Sequence, residues 1–184
     1  MPSAQVNPEP FAHFGRFVAE ERQKFVGEDI AGNKHSYVPR PVLEEYWTNR
    51  NISKVLQAYS PTVPANVLAI KQQYIQVFSI LVSIDGVRHL DKFTSHSLDD
   101  SKLPLKKRPP TEWPVDHHHG ELFKKFDGEQ WGFCPLNFVR HQLDDRDLPP
   151  ELVLPIDSFE MVQQGDIAMV QKFVINDACN QLAV

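Results

Sequence analysis

Residues 63–84 read Val63-Pro-Ala-Asn-Val-Leu-Ala-Ile-Lys-Gln-Gln-Tyr-Ile-Gln-Val-Phe-Ser-Ile-Leu-Val-Ser-Ile84. Val63, Val67, Ile70, Tyr74, Val77, Phe78, Leu81 and Val82 recur at three- and four-residue steps, which lays an apolar face along about five turns of α-helix. From Tyr74 to Ile84 apolar residues run nearly all the way round. A helix of that kind is buried on every side, so the stretch predicts the central helix of a mainly α fold.

Upstream, Phe11, Phe14, Phe17, Val18 and Phe25 recur near helical spacing among Arg16, Glu20, Glu21 and Lys24. This predicts an amphipathic helix with a phenylalanine stripe. Phe11, Phe14 and Phe17 could dock in a partner's groove, but burial in the chain's own core is the usual fate of such a stripe and takes precedence. Gly27 to Lys34 reads as a loop. Pro39 and Pro41 lead into a short helix through Val42, Leu43, Tyr46 and Trp47, with proline in its first turn. Asn51 is the expected N-cap for Ile52, Val55, Leu56 and Tyr59, and Pro61 and Pro64 end that pattern. Downstream, Gly86 interrupts, and Val87, Leu90 and Phe93 predict one more short helix. Together these elements predict a compact helical bundle.

The rest of the chain is less helical in pattern. Leu103 to Pro114 is rich in proline and holds Lys106-Lys107-Arg108, which reads as an exposed linker, with nuclear import as the less economical interpretation. Asp127-Gly128 is a hairpin-type turn signal. Gln130 to Phe138 reads as a buried extended segment, and Met161 to Ile175 as two short strands or one bent one. The chain thus divides into a flexible lead-in at 1–8, a helical domain at 9–102, a basic proline-rich linker at 103–115 and a smaller, irregular α+β segment at 116–184. Ser97-Leu-Asp-Asp-Ser-Lys-Leu-Pro104 is echoed by Gln142-Leu-Asp-Asp-Arg-Asp-Leu-Pro149. In both, an aspartate can cap a single helical turn that proline stops. Eight residues are too few for a structural repeat.

Composition narrows the function. A net charge of −5 leaves no surplus of Lys and Arg for phosphate contacts, so nucleic acid is not an expected partner. The apolar runs are far shorter than a membrane span, and the N-terminus lacks the basic and apolar regions of a secretory signal. With only two cysteines, Cys134 and Cys179, the chain is no disulfide scaffold. An intracellular protein, cytoplasmic or nuclear, is expected.

The densest group of potential ligands is His117-His118-His119. On an extended backbone His117 and His119 fall on one side and could share a metal, with Cys134 or His141 completing a tetrahedral site. No CxxC or HExxH spacing supports this, and an exposed polar loop after the proline-rich linker explains the histidines without any metal. Cys134 could be a nucleophile with His119 or His141 as its base, yet a cysteine between Phe133 and Pro135 is more often inert core. Asp144, Asp145, Asp147 and Glu151 lack the alternation and central glycine of an EF-hand loop. No Gly-x-Ser-x-Gly elbow, Walker loop or dinucleotide fingerprint occurs, and no cofactor is called for.

Two regions together resemble the N-terminal segments of fungal protein-kinase-like proteins. The first is Val42 to Pro104, with Phe78-Ser-Ile-Leu-Val-Ser-Ile84 and the following Asp-Asp-x-x-Leu-Pro turn. The second is Trp131-Gly-Phe-Cys-Pro-Leu-Asn-Phe138 leading into Leu152-Val-Leu-Pro-Ile156. In that family such a block prefaces the glycine-rich loop that covers ATP phosphates. Set against Gly-x-Gly-x-x-Gly-x-Val, Gly165 takes the second glycine and Val170 the valine, while Gln163 and Ala168 replace the other two glycines. Lys172 lies too near the loop to be equated with the ATP-pairing lysine of the next strand. His-Arg-Asp and Asp-Phe-Gly motifs are missing, and phosphoryl transfer needs them to hold nucleotide and magnesium. The resemblance therefore implies a truncated, non-catalytic front end: an interaction or regulatory module that binds a protein partner or associates with itself. The competing expectation is a small enzyme or metal-binding protein built on His117, His119, Cys134 and His141.

Overall fold

The computed structural model describes residues 7–59, 66–105, 117–139, 148–164 and 169–182. Lys106 to Arg108, Pro61, Pro64, His141, the second Asp-Asp turn, Gly165 and Ala168 therefore lie outside the described residues.

Helix α1 (Glu9–Lys24) starts with proline in its first turn and buries Pro10, Phe14 and Val18, one side chain per turn. It is followed by a hairpin rather than the expected loop: β1 (Val26–Glu28) pairs antiparallel with β2 (Lys34–Ser36). Asp29 organises the connection, its carboxylate accepting from Ala31 N, Asn33 N and Asn33 Nδ2 at 2.8–2.9 Å. Gly32 takes a positive φ of 82° there, which glycine adopts without a Cβ clash. An Asx-type turn of this kind depends on side-chain hydrogen bonds that hydropathy patterning does not register.

Helix α2 (Arg40–Tyr46) has Pro41 in its first turn, as expected. Helix α3 (Asn49–Tyr59) is capped one turn earlier than the pattern suggests: Thr48 Oγ1 accepts from Asn51 N at 3.2 Å. Asn51 itself donates through Nδ2 to the Tyr46 carbonyl at 2.8 Å.

The decisive stretch is two helices, not one. Asn66 caps α4 (Val67–Gln73) through a 3.0 Å bond from Ala69 N. Tyr74 then leaves helical geometry at φ −130° and ψ 23°, and α5 (Ile75–Ser83) begins anew. All of Ile75 to Val82 is buried, so the central position holds for this half. A single 3₁₀ turn at Val87–His89 and α6 (Leu90–Ser95) follow, then a turn at Asp100–Lys102 capped by Asp99, whose carboxylate accepts from Ser101 N at 2.9 Å. The local capping expected of the Asp-Asp turn is therefore present in its first copy.

Helix α7 (His117–Gln130) overturns two expectations. Asp127 and Gly128 sit inside it rather than in a hairpin turn, and its backbone is helical where an extended histidine segment was expected. Leu122, Phe123 and Phe126 at helical spacing enter the same core as the earlier helices, and tertiary packing of that face outweighs the turn propensity of Asp-Gly.

The remaining strands are β3 (Phe138–Val139), β4 (Ile156–Gln164), β5 (Met169–Ile175) and β6 (Asn180–Gln181). β3 lies parallel to β6, and β4 and β5 form an antiparallel hairpin with Phe159 opposite Phe173 and Glu160 opposite Lys172. The chain is mainly α with a smaller α+β segment.

One core runs from Phe14 and Trp47 through α5 to Phe126, Phe133 and Cys134. The Trp47 ring centroid lies 4.7 Å from that of Phe14, tilted, and 4.8 Å from that of Phe78, edge-on, and its Nε1 donates to Ser79 Oγ at 2.8 Å. A smaller cluster of Tyr37, Val153 and Cys179 lies under the first hairpin. Glu28 and Leu154 exchange backbone hydrogen bonds at 3.1 and 2.7 Å, which fastens the C-terminal segment to β1.

That junction requires a glycine, since a Cβ on Gly27 would stand 2.3 Å from the Leu154 carbonyl oxygen. Gly27→Ala is expected to destabilise the fold by about 1–3 kcal/mol. Gly15, inside α1 with no atom near its Cβ position, provides the control: Gly15→Ala should stabilise by about 0.5–1 kcal/mol. Urea unfolding of the two variants checks both signs.

Candidate functional site

Of the residues proposed as metal ligands or catalytic groups, His141 lies outside the described residues, His117 and His119 are placed by their backbone, and Cys134 by its side chain. His117 and His119 open α7, and residues two apart on a helix stand about 200° apart around its axis. Cys134 is buried; burial first, and then the nearby Asp100 charge, push its thiol far above the usual range. A buried neutral thiol is a poor nucleophile and a poor ligand. Its neighbour Gln76 donates through Nε2 to the Phe133 carbonyl at 2.6 Å, with the Cys134 Sγ at 3.9 Å. Among the described residues no three His, Cys, Asp or Glu side chains are grouped to hold a metal.

The phenylalanine stripe faces inward, as the core interpretation expects. Phe14 is 1% exposed and cannot be offered to a partner. Phe17 stacks on Tyr46 at 4.2 Å, and Phe11 is half-buried beside the core. A cleft of about 410 Å³ opens next to Phe11, between Pro8 and Gly15 on one side and Val82 to Asp85 on the other.

A polar node missed by sequence reasoning lies at the break between α4 and α5. Asp100 Oδ1 accepts from Gln76 N and Val77 N, both at 3.0 Å, so it caps α5 from 24 residues away. Arg40 Nη1 lies 3.4 Å from Asp100 Oδ2, and Arg40 Nε donates to Glu44 Oε1 at 2.7 Å. The Asp100 side chain is 3% exposed. Burial pushes its carboxyl up to about 6, against the pull of the Val77 and Gln76 N–H groups and the Arg40 guanidinium. The sequence signal was the doubled aspartate: Asp99 satisfies the local turn, which leaves Asp100 for another helix.

The β4–β5 hairpin presents the opposite chemistry. Phe159 is 60% exposed, Val162 61% and Phe173 45%, and Met161 and Val174 are also exposed. Phe173 rests on Phe138 at 5.9 Å, which anchors the hairpin to the body. Strand propensity was legible in these residues; which faces stay uncovered was not. Among the described residues no helix is long and apolar enough to cross a membrane.

The Asp100 node yields a pH dependence with a definite sign. Its carboxyl titrates near 6 when folded and near 3.8 in its ordinary state, so its contribution to stability is fully present below pH 3.8 and is lost as pH rises through about 6. Asp100→Asn retains the acceptor for Gln76 and Val77 and should flatten the stability profile between those limits. Asp100→Ala leaves two buried N–H groups without an acceptor and should cost on the order of 2–3 kcal/mol. Denaturant titrations at several pH values separate the two effects. In comparisons with known proteins, no family model, no curated protein and no solved structure matches this chain.

Proposed function

We propose that the chain is a non-enzymatic interaction or regulatory module, a compact helical bundle that presents an apolar β-hairpin to a protein partner. The observation that carries this reading is the exposure of Phe159, Met161, Val162, Phe173 and Val174 on one two-stranded hairpin. Large apolar side chains clustered on an exposed element mark an interaction surface, whereas single ones do not. An isolated two-stranded hairpin is marginal in water and gains most from a covering partner.

The kinase-like reading enters here as part of the proposal. Gln163 to Val170, the stretch set against a kinase glycine loop with Gly165 and Val170 matching, begins in β4 and ends in β5, and a hairpin is the context such a loop requires. The module would be the front end of a kinase-like protein, without phosphoryl transfer of its own. Its two cysteines are free and buried, in keeping with a reducing intracellular setting.

The test is the pair Phe159→Ser and Phe173→Ser in one chain. If these side chains serve a partner, the unfolding free energy stays within about 0.5 kcal/mol of the parent, while binding of an apolar fluorescent dye to the native protein falls. A loss of several kcal/mol would place the hairpin in the core and remove the interaction surface. Turnover of Mg·ATP by the purified chain would overturn the non-enzymatic reading.

A further inference from the structure

We infer that the cleft beside Phe11 is a binding site for a small organic cation, an ammonium ion carried on an aromatic or short alkyl body. The site is separate from the β4–β5 hairpin and goes beyond the interaction reading. The cleft holds about 410 Å³, within the range that accommodates a small-molecule ligand. Phe11, Phe14 and Val82 supply its apolar lining, and Asp85 carries the only charge among the described residues that line it.

Two lining positions hold residues that weaken the helices they belong to. Helix α5 ends in a Schellman arrangement: Gly86 N donates to the Leu81 carbonyl at 2.7 Å and Asp85 N to the Val82 carbonyl at 3.3 Å. The left-handed position in that arrangement usually holds glycine, yet Asp85 stands there at φ 55°. Its negative charge also meets the negative end of the α5 dipole, which favours cations. Among the described residues its carboxylate has neither a hydrogen-bond partner nor an ion-pair partner. Gly15 is the second position. It lies inside α1, where alanine would hold the helix better, and no atom stands within 4 Å of the place its Cβ would take. Neither residue serves helix stability, and both serve the cleft: Gly15 leaves its volume open, and Asp85 makes it anionic.

The chemistry of the lining selects the ligand. An ammonium group beside Asp85 gives the carboxylate the charge partner it lacks within the chain, and the carbonyl end of α5 adds to the attraction. Phe11, from the α1 side, offers an aromatic ring to the cation or to its apolar body. Phe14 and Val82, both buried, give that body a surface from which water is released. An anion would meet Asp85 and the helix end with the wrong sign, and the net charge of −5 opposes it as well. A neutral ligand would leave the carboxylate without a partner.

Ligand-observed NMR titration of the full chain at neutral pH tests this, with phenethylammonium as the probe, 2-phenylethanol as its uncharged counterpart and 3-phenylpropionate as its anionic one. Phenethylammonium should bind saturably, with a dissociation constant on the order of 1 mM for so small a ligand. The alcohol should bind about fivefold more weakly, the contribution of an exposed charge pair and a ring contact, and the carboxylate should not bind. Asp85→Asn keeps a residue that tolerates the left-handed backbone, so it should fold like the parent and bind amine and alcohol equally. Gly15→Leu should fold at least as well as the parent and bind neither, because its side chain takes up the cleft. A parent chain that does not bind phenethylammonium overturns the site, and so does equal binding of the alcohol by the parent. A preference for the amine that survives Asp85→Asn, or binding undiminished in Gly15→Leu, overturns it too. Neither substitution touches β4 or β5, so the hairpin reading stands or falls on its own test.

Discussion

A helix that begins in the interior of a protein faces a problem that surface helices do not. Its first N–H groups have no intrahelical acceptor and no water to replace one. Helix α5 starts there, with Ile75 to Val82 buried, and Asp100 supplies the acceptor to Gln76 and Val77. One carboxylate therefore fixes where α4 stops, where α5 starts and how the turn at Asp100–Lys102 docks. Arg40 brings α2 to the same point. The arrangement keeps a carboxyl out of water, and the upward displacement of its titration is the physical record of that cost.

Several buried polar groups elsewhere in the body are paired in the same way. Trp47 is the largest fully buried side chain, and its indole N–H is taken up by Ser79, which itself donates to the Ile75 carbonyl at 2.7 Å. Gln130 is fully buried and exchanges two bonds with the Leu105 backbone, at 2.7 and 3.0 Å, which seats the end of α7. Arg22 lies over the Phe133 ring and pairs with Glu129 at 2.7 Å, so α1 and the end of α7 hold the Trp-Gly-Phe-Cys block between them. Against this interior the hairpin stands out: its backbone is paired internally, but Phe159, Met161, Val162, Phe173 and Val174 are exposed.

The candidate site was legible only in part. The Met161–Ile175 segment reads as two short strands or one bent one from its β-branched and aromatic residues, and its described residues fall in β4 and β5. The helical backbone at His117 to His119 was not legible, because spacing alone cannot tell an extended segment from the first turn of a helix. Cys134 read as a core residue from its apolar neighbours, and it is buried. Asp127-Gly128 misled because the apolar residues Leu122, Phe123 and Phe126 decide the conformation through contacts with distant helices. The kinase-like resemblance remains a proposal carried by the sequence.

What the sequence by itself determined is local: the apolar faces of the helices, the proline-led start of α2, the Asp99 turn and the strand character of the last third. Each depends on side chains within a few residues of one another, so periodicity and capping chemistry are sufficient. Tertiary structure decided the break at Tyr74, the extra hairpin closed against Leu154, the inclusion of α7 in the core and the exposure of Phe159 and Phe173. These depend on partners 24 or more residues away, such as Asp100 for α5 and Leu154 for β1. Sequence spacing cannot reveal which distant group will satisfy a buried N–H, or which apolar face will be left without cover.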